Sequence, residues 1–142
     1  MPSPRQGEWL GNVVLGPFAE QLLSALAIAP GDVVCELMCD VGVLSRELAP
    51  ATGRTGTLIL ADSDASLAEA GATAQRRWCK ARALTIDGPR IPVDDAICDR
   101  VTSLINIQFA DTEALLDDAL RVLRPGGSGA FVLWDPDEPP AY

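Results

Sequence analysis

The segment Arg121-Val-Leu-Arg-Pro-Gly-Gly127, followed by Ala130-Phe-Val-Leu-Trp134, restricts the fold more than any other stretch of the chain. Leu115, Leu116, Ala119, Leu120 and Leu123 recur at the spacing of one helical face, and Asp111 or Thr112 is placed to cap its start. Arg121 and Arg124 sit near the negative end of the helix dipole. Pro125 cannot continue the helix, and Gly126-Gly127 let the backbone turn sharply into the apolar run that follows. A helix that hands the chain at once to a buried strand is the repeating step of an α/β protein.

The rest of the chain repeats that step. Pro17 opens an amphipathic helix carrying Phe18, Leu22, Leu23, Leu26 and Ala27, which Pro30-Gly31-Asp32 stops. Val33 to Leu37 reads as a short buried strand, the loop Met38 to Gly42 leads into a helix from Val43 to about Ala49, and Pro50 breaks that helix. Thr57 to Ala61 is a second strand ending at Asp62. Ser63 or Asp64 then caps a helix with Leu67, Ala68 and Ala74. Ala83 to Ile86 predicts a third strand, Arg100 to Ile105 a fourth, and Phe131 to Trp134 a fifth. Strands that alternate with helices imply right-handed crossovers and a mainly parallel sheet of about five strands with helices on both faces, a Rossmann-like doubly wound α/β fold. The 142 residues are read as one domain, 1–142, whose ends, to about Gly7 and from Asp135, are Pro- and charge-rich.

Eleven basic residues against twenty acidic give a net charge of -9, which disfavours nucleic acid and anionic membrane surfaces as partners and favours a small molecule or another protein. Only Arg76-Arg77 and Lys80 with Arg82 are clustered cations. Cys35, Cys39, Cys79 and Cys98 lie in or beside apolar stretches and the chain has no histidine, so reduced buried thiols are expected and no metal site. The N-terminus lacks the apolar core of a secretion signal and no stretch is long and apolar enough to span a membrane, which points to the cytoplasm.

Open parallel sheets bind ligands at the carboxyl ends of their strands. Here those ends carry Glu36, Asp62, Asp87 and the run Ser103-Leu104-Ile105-Asn106. Acids in these places can bond hydroxyls or amines, and N–H groups opening a helix can meet a carboxylate. Each also has a purely structural use: Asp62 with Asp64 as a helix cap, Asp87-Gly88 as a turn. Glu36 is harder to explain that way, because a carboxylate closing a buried strand needs a partner, for which Arg124 or a backbone amide is available.

With these residues in place the chain resembles the class I S-adenosylmethionine (SAM)-dependent methyltransferases. The resemblance rests on Pro30-Gly31-Asp32-Val-Val-Cys-Glu36 with its loop to Gly42, Gly56 to Asp62, Ile86-Asp87-Gly88, Ile91-Pro92-Val93-Asp94, Cys98-Asp99-Arg-Val101 and the closing Arg-Val-Leu-Arg-Pro-Gly-Gly, all in family order. The set is most similar to small-molecule methyltransferases related to the quinone-biosynthesis enzymes. It implies SAM as cofactor and methyl transfer to a small molecule. Glu36 and the loop of Met38, Cys39, Asp40 and Gly42 would face the methionine part of SAM, Asp62 the ribose hydroxyls, Ser63 the adenine, and Asp87 with Gly88 the adenine amine. Ser103 and Leu104 would border the same site. No catalytic base is identified: Asp111, Asn106 and Gln108 lie near the expected mouth but read equally as a helix cap and loop polar groups.

Two features depart from the family pattern. The family loop reads acid-x-Gly-x-Gly-x-Gly, whereas Met38 and Asp40 hold the first two glycine positions. Met38 is expected to resist a positive φ, and Asp40 to set a negative charge beside a SAM carboxylate, where like charges about 4 Å apart repel by several kcal/mol at an effective dielectric near 20. The family also continues past its fifth strand with a helix and a two-stranded hairpin, so the fold is expected to lack those last strands and to leave the fifth as an open edge. Pairing of two chains through that edge, a homodimer, is one expected answer, and the segment around Trp9 and Leu10 folding over it is another. The alternative reading is a catalytically degenerate relative acting as a binding or dimerisation partner. A nicotinamide-dependent dehydrogenase would share the strand-end acid but lacks the Gly-x-Gly-x-x-Gly turn.

Overall fold

Pro17 starts the first helix, α1 (Gly16–Leu26), and Ala27 ends it in a left-handed conformation, φ 48°, with its N–H donating to the Leu23 carbonyl. The computed structural model describes residues 15–135 and Asp137. In chain order there follow β1 (Val33–Leu37), α2 (Ser45–Thr52), β2 (Thr57–Asp62), α3 (Ala65–Gln75), β3 (Lys80–Thr85), β4 (Cys98–Leu104), a 3₁₀ turn (Asn106–Phe109), α4 (Thr112–Val122) and β5 (Leu123–Val132). Asp64 caps α3, its carboxylate accepting the N–H groups of Ser66 and Leu67, and Asp111 caps α4 through the Ala114 N–H.

The five strands form one parallel sheet in the order β3-β2-β1-β4-β5, so chain direction reverses sides between β1 and β4. Alternation along the strands divides the core into two layers. Val34, Leu58 and Leu60 face α1, α2 and α3 through Leu22, Leu26, Leu48 and Ala72. Cys35, Leu37, Ile59 and Val101 face α4 through Leu115, Ala119 and Val122, with Ile86, Ile91 and Ile107 filling the remainder. Each of these fully buried leucines and isoleucines is worth about 1.5–3 kcal/mol of transfer free energy.

The architecture is the Rossmann-like one read from the sequence, with five local differences. α2 runs through Pro50 to Thr52 rather than stopping at Ala49, and the Thr52 hydroxyl donates to the Leu48 carbonyl at 2.8 Å at its end. β3 begins at Lys80, not Ala83, because Lys80 pairs with Thr57; its exposed Lys80 and Arg82 hide the strand pattern but suit an edge strand. β4 spans Cys98–Leu104 rather than Arg100 to Ile105, and β5 ends at Val132 rather than Trp134. Finally, among the described residues three helices cover one face but only α4 the other: the β3–β4 crossover, residues 86–97, contains no helix.

Arginine 121 holds that helix-free crossover in place. Its guanidinium donates to the carbonyls of Ile91 (2.8 Å) and Val93 (2.9 Å) and to Asp95 (2.7 Å), and forms a two-pronged pair with Asp118 at 2.7 and 3.0 Å. Asp118 in turn accepts the Ile91 N–H at 2.6 Å.

The Arg-Pro-Gly-Gly corner lies at the amino end of the sheet. Leu123 pairs with Cys98 and Ser128 with Arg100, so the corner is an irregularity inserted into the β4–β5 ladder. Gly126 takes φ 84°, and a Cβ on Gly127 would come within 2.9–3.2 Å of the carbonyl oxygens of Arg124, Asp99 and Cys98. Arg124 forms an ion pair with Asp99, whose other oxygen accepts the Val33 N–H at 2.7 Å.

Candidate functional site at the carboxyl ends of the strands

Glu36 closes β1 with only 2% of its surface exposed. It is not met by Arg124, which lies at the far end of the sheet, but by the hydroxyl of Ser45 at the start of α2. Burial, opposed in part by the Ser45 bond and reinforced by the nearby Asp62 carboxylate, raises the Glu36 pKa to about 8. Glu36 is therefore mostly protonated at neutral pH. Ser45 was not singled out by sequence; its signal is its place three residues after Gly42, where a loop opens into a helix.

The loop that follows takes the backbone course that Met38 was expected to resist. Met38 (φ 54°), Asp40 (φ 48°) and Gly42 (φ 85°) are all left-handed, at the alternating positions where the family pattern places glycines. The expectation that Met38 resists a positive φ is thus overturned: its half-buried side chain packs on the α4-side apolar layer, which offsets the conformational cost. Gly42 N–H donates to the Cys39 carbonyl and Cys39 N–H to the Ala61 carbonyl, tying the loop to β2. The Cys39 thiol is pushed up by burial, then by Glu36 and Asp62, and stays protonated.

Asp62 ends β2 and is 4% exposed. One carboxylate oxygen accepts the Asp40 N–H at 2.9 Å and the other the Asp64 N–H at 2.9 Å, leaving each with a free lone pair. Asp40 is half-buried, and desolvation followed by the Asp62 charge raises its pKa. Asp40→Gly removes a left-handed non-glycine residue together with that unfavourable charge. It is expected to raise stability by about 1 kcal/mol at pH 7, read as an increased urea midpoint; an unchanged or lower midpoint contradicts this.

The other sequence-selected residues divide. Ser63 is exposed beside Asp62, and Asp87 and Gly88 are exposed at the start of the crossover, Gly88 with φ 83°. Ser103 is fully buried and its hydroxyl donates to the Leu37 carbonyl at 2.6 Å, fastening β4 to β1; Leu104 is 4% exposed. Gln108 makes two 2.8 Å side-chain bonds with the N–H and carbonyl of Trp134, tying the 3₁₀ turn to the chain beyond β5. Asp111 caps α4. The Gln108 amide is thus spent on Trp134, while Asp111 is exposed and caps through one oxygen. Sequence did not reveal Ile105, which takes φ 68°, ψ -46°, a strained conformation for a β-branched residue, where β4 turns toward the site.

A parallel doubly wound sheet with acids closing β1 and β2 at its switch point defines a Rossmann-like ligand-binding domain. The chain belongs to the methyltransferase-domain family, whose sequence profile matches residues 34–127. It is 32% identical over 134 residues to an uncharacterised protein of Mycobacterium tuberculosis, covering 88% of this chain and 45% of that one. It is 35% identical over 105 residues to a demethylmenaquinone methyltransferase of Mycobacterium marinum, covering 73% and 42%. The chain thus spans less than half the length of these relatives. A SAM-dependent methyltransferase from Aquifex aeolicus has the same fold, with a TM-score of 0.76 at 16% identity over 99% of this chain and 79% of that one. Among the described residues no helix is long and apolar enough to cross a membrane.

Proposed function

We propose that this chain binds SAM and belongs to an enzyme that transfers its methyl group to a small molecule. The observation that carries the reading is the Met38–Asp40–Gly42 backbone, left-handed at all three family glycine positions between Glu36 and Asp62. The donor set fits the cofactor. Glu36 is a buried acid with a hydroxyl as its partner, suited to the ammonium of SAM, and each Asp62 oxygen keeps one lone pair for a ribose hydroxyl. Exposed Ser63, Asp87 and Gly88 form the adenine side. The 35% identity to a demethylmenaquinone methyltransferase supports a small-molecule acceptor.

SAM supplies an activated methyl group on a sulfonium, so displacement needs alignment and exclusion of water rather than a protein nucleophile. In this chain Glu36 and Asp62 anchor the two ends of the donor, and the bonds from Ser103 to Leu37 and from Cys39 to Ala61 keep the strand ends in register beneath it. Calorimetric titration with SAM and with S-adenosylhomocysteine tests the reading. Asp62→Asn is expected to weaken both by about 1–3 kcal/mol, and no heat with either ligand hands the chain to the degenerate alternative. The reading further includes a cytoplasmic location and pairing of two chains along β5, whose outer edge is uncovered among the described residues; Trp9 and Leu10 lie outside them. Sedimentation across micromolar concentrations checks the pairing.

A further inference from the structure

On the helix-covered side, α2 and α3 touch but do not fill the space between them. They leave a depression of about 280 Å³ that starts at the Asp40–Gly42 loop and continues into a second of about 260 Å³ ending at Trp78. Leu67, Ala70 and Ala74 give a shallow apolar floor, and Trp78 stands 42% exposed at its end. Arg46 and Arg77 flank it, the Arg77 guanidinium stacked 4.9 Å over the Trp78 ring, an arrangement that leaves its N–H groups free. Asp40 closes the loop end. Gln75 lines both depressions; it is 5% exposed, and its side-chain amide has no hydrogen-bond partner among the described residues. Lining the groove, that amide is left to solvent or to a ligand.

We propose that this groove binds an extended acidic segment of a partner polypeptide, with carboxylates on Arg46 and Arg77 and a backbone N–H and carbonyl on the Gln75 amide. The protein already uses a glutamine in this way: Gln108 pairs with both backbone groups of Trp134. The groove is open and shallow, which suits an extended chain better than an enclosed small molecule. Arg46 and Arg77 supply the charge complementarity locally, on a protein whose net charge of -9 repels acidic chains elsewhere.

The test uses the full chain and a fluorescein-labelled peptide of five Glu-Ala repeats, with five Lys-Ala repeats as control, read by anisotropy. The acidic peptide is expected to bind and the basic one not. Arg77→Glu should weaken binding at least about tenfold and Gln75→Leu at least about threefold, with melting temperature and S-adenosylhomocysteine affinity unchanged. The Gln75 side-chain amide resonances should shift on titration. Absence of binding at about 1 mM peptide, equal binding by the variants, or equal displacement by free acetate overturns the proposal.

Discussion

Glu36→Gln is expected to raise the stability of the unliganded protein by about 2–4 kcal/mol at pH 8 and by less than about 1 kcal/mol at pH 5. The unfolded chain releases the Glu36 proton near the ordinary value of 4.5, while the folded chain holds it to about 8. The folded state therefore binds the extra proton throughout that interval. Its contribution is fully present below pH 4.5 and is lost as pH rises through 8, so the parent protein weakens across the window. Glutamine is neutral at every pH and keeps an acceptor for the Ser45 hydroxyl, so the variant escapes the loss. Urea denaturation of both proteins at pH 5 and pH 8 measures the difference. The same gain at both pH values, or a loss at pH 8, would show that Glu36 is ionised and satisfied in the free protein.

A buried acid that weakens its own fold at neutral pH has a use if a cation completes it on binding. On the proposed function that cation is the SAM ammonium, so Glu36→Gln should bind SAM about tenfold or more weakly while melting higher. Parent and variant then exchange stability for affinity. A variant that is both more stable and equally good at binding SAM would remove Glu36 from the site.

What could be read from the sequence was whatever depends on local patterning. The buried runs Val33–Leu37 and Thr57–Asp62 carry their own strand signal, and Asp64 and Asp111 announce the helices they cap. The most informative motif, Arg-Val-Leu-Arg-Pro-Gly-Gly, marks the fold but sits at the sheet end opposite the site, where its glycines pass under carbonyls of β4. β3 was read short because Lys80 and Arg82 break the apolar alternation, and only pairing with β2 makes them strand. The loop was misjudged for a related reason. Residue type assigns Met38 a resistance to positive φ, but the packing of its side chain on the α4-side core, with the neighbouring Cys39 N–H tied to the Ala61 carbonyl, is non-local and outweighs a conformational preference of about 1–3 kcal/mol. Ser45 and Ile105 were missed because a serine hydroxyl beneath an acid and a strained isoleucine leave no periodic trace.

The second large effect lies on the opposite face. Arg121→Ala is expected to destabilise the protein by about 2–3 kcal/mol, chiefly by releasing residues 91–95 from α4. Where the fold has no crossover helix, this one guanidinium gathers two carbonyls and two carboxylates, and its removal leaves Asp118 largely buried without its countercharge. The pairing lowers the Asp118 pKa and raises that of Arg121, so the two sides agree in direction. For Asp118 the folded value lies below the unfolded one. Its contribution is complete above the unfolded carboxylate range and disappears as pH falls through the folded value, so the gap between parent and Arg121→Ala should narrow in acid. Arg121→Lys retains the charge but not the planar fork, and should recover less than half of the loss. Hydrogen exchange provides the local readout: the Ile91 amide, bonded to Asp118 at 2.6 Å, should exchange much faster in Arg121→Ala, while the Leu58 and Leu60 amides of β2 follow global stability. If Ile91 and β2 accelerate by the same factor, Arg121 supports the whole sheet rather than latching the crossover. If neither changes, Ile86, Ile91 and Ile107 hold that face through apolar packing alone.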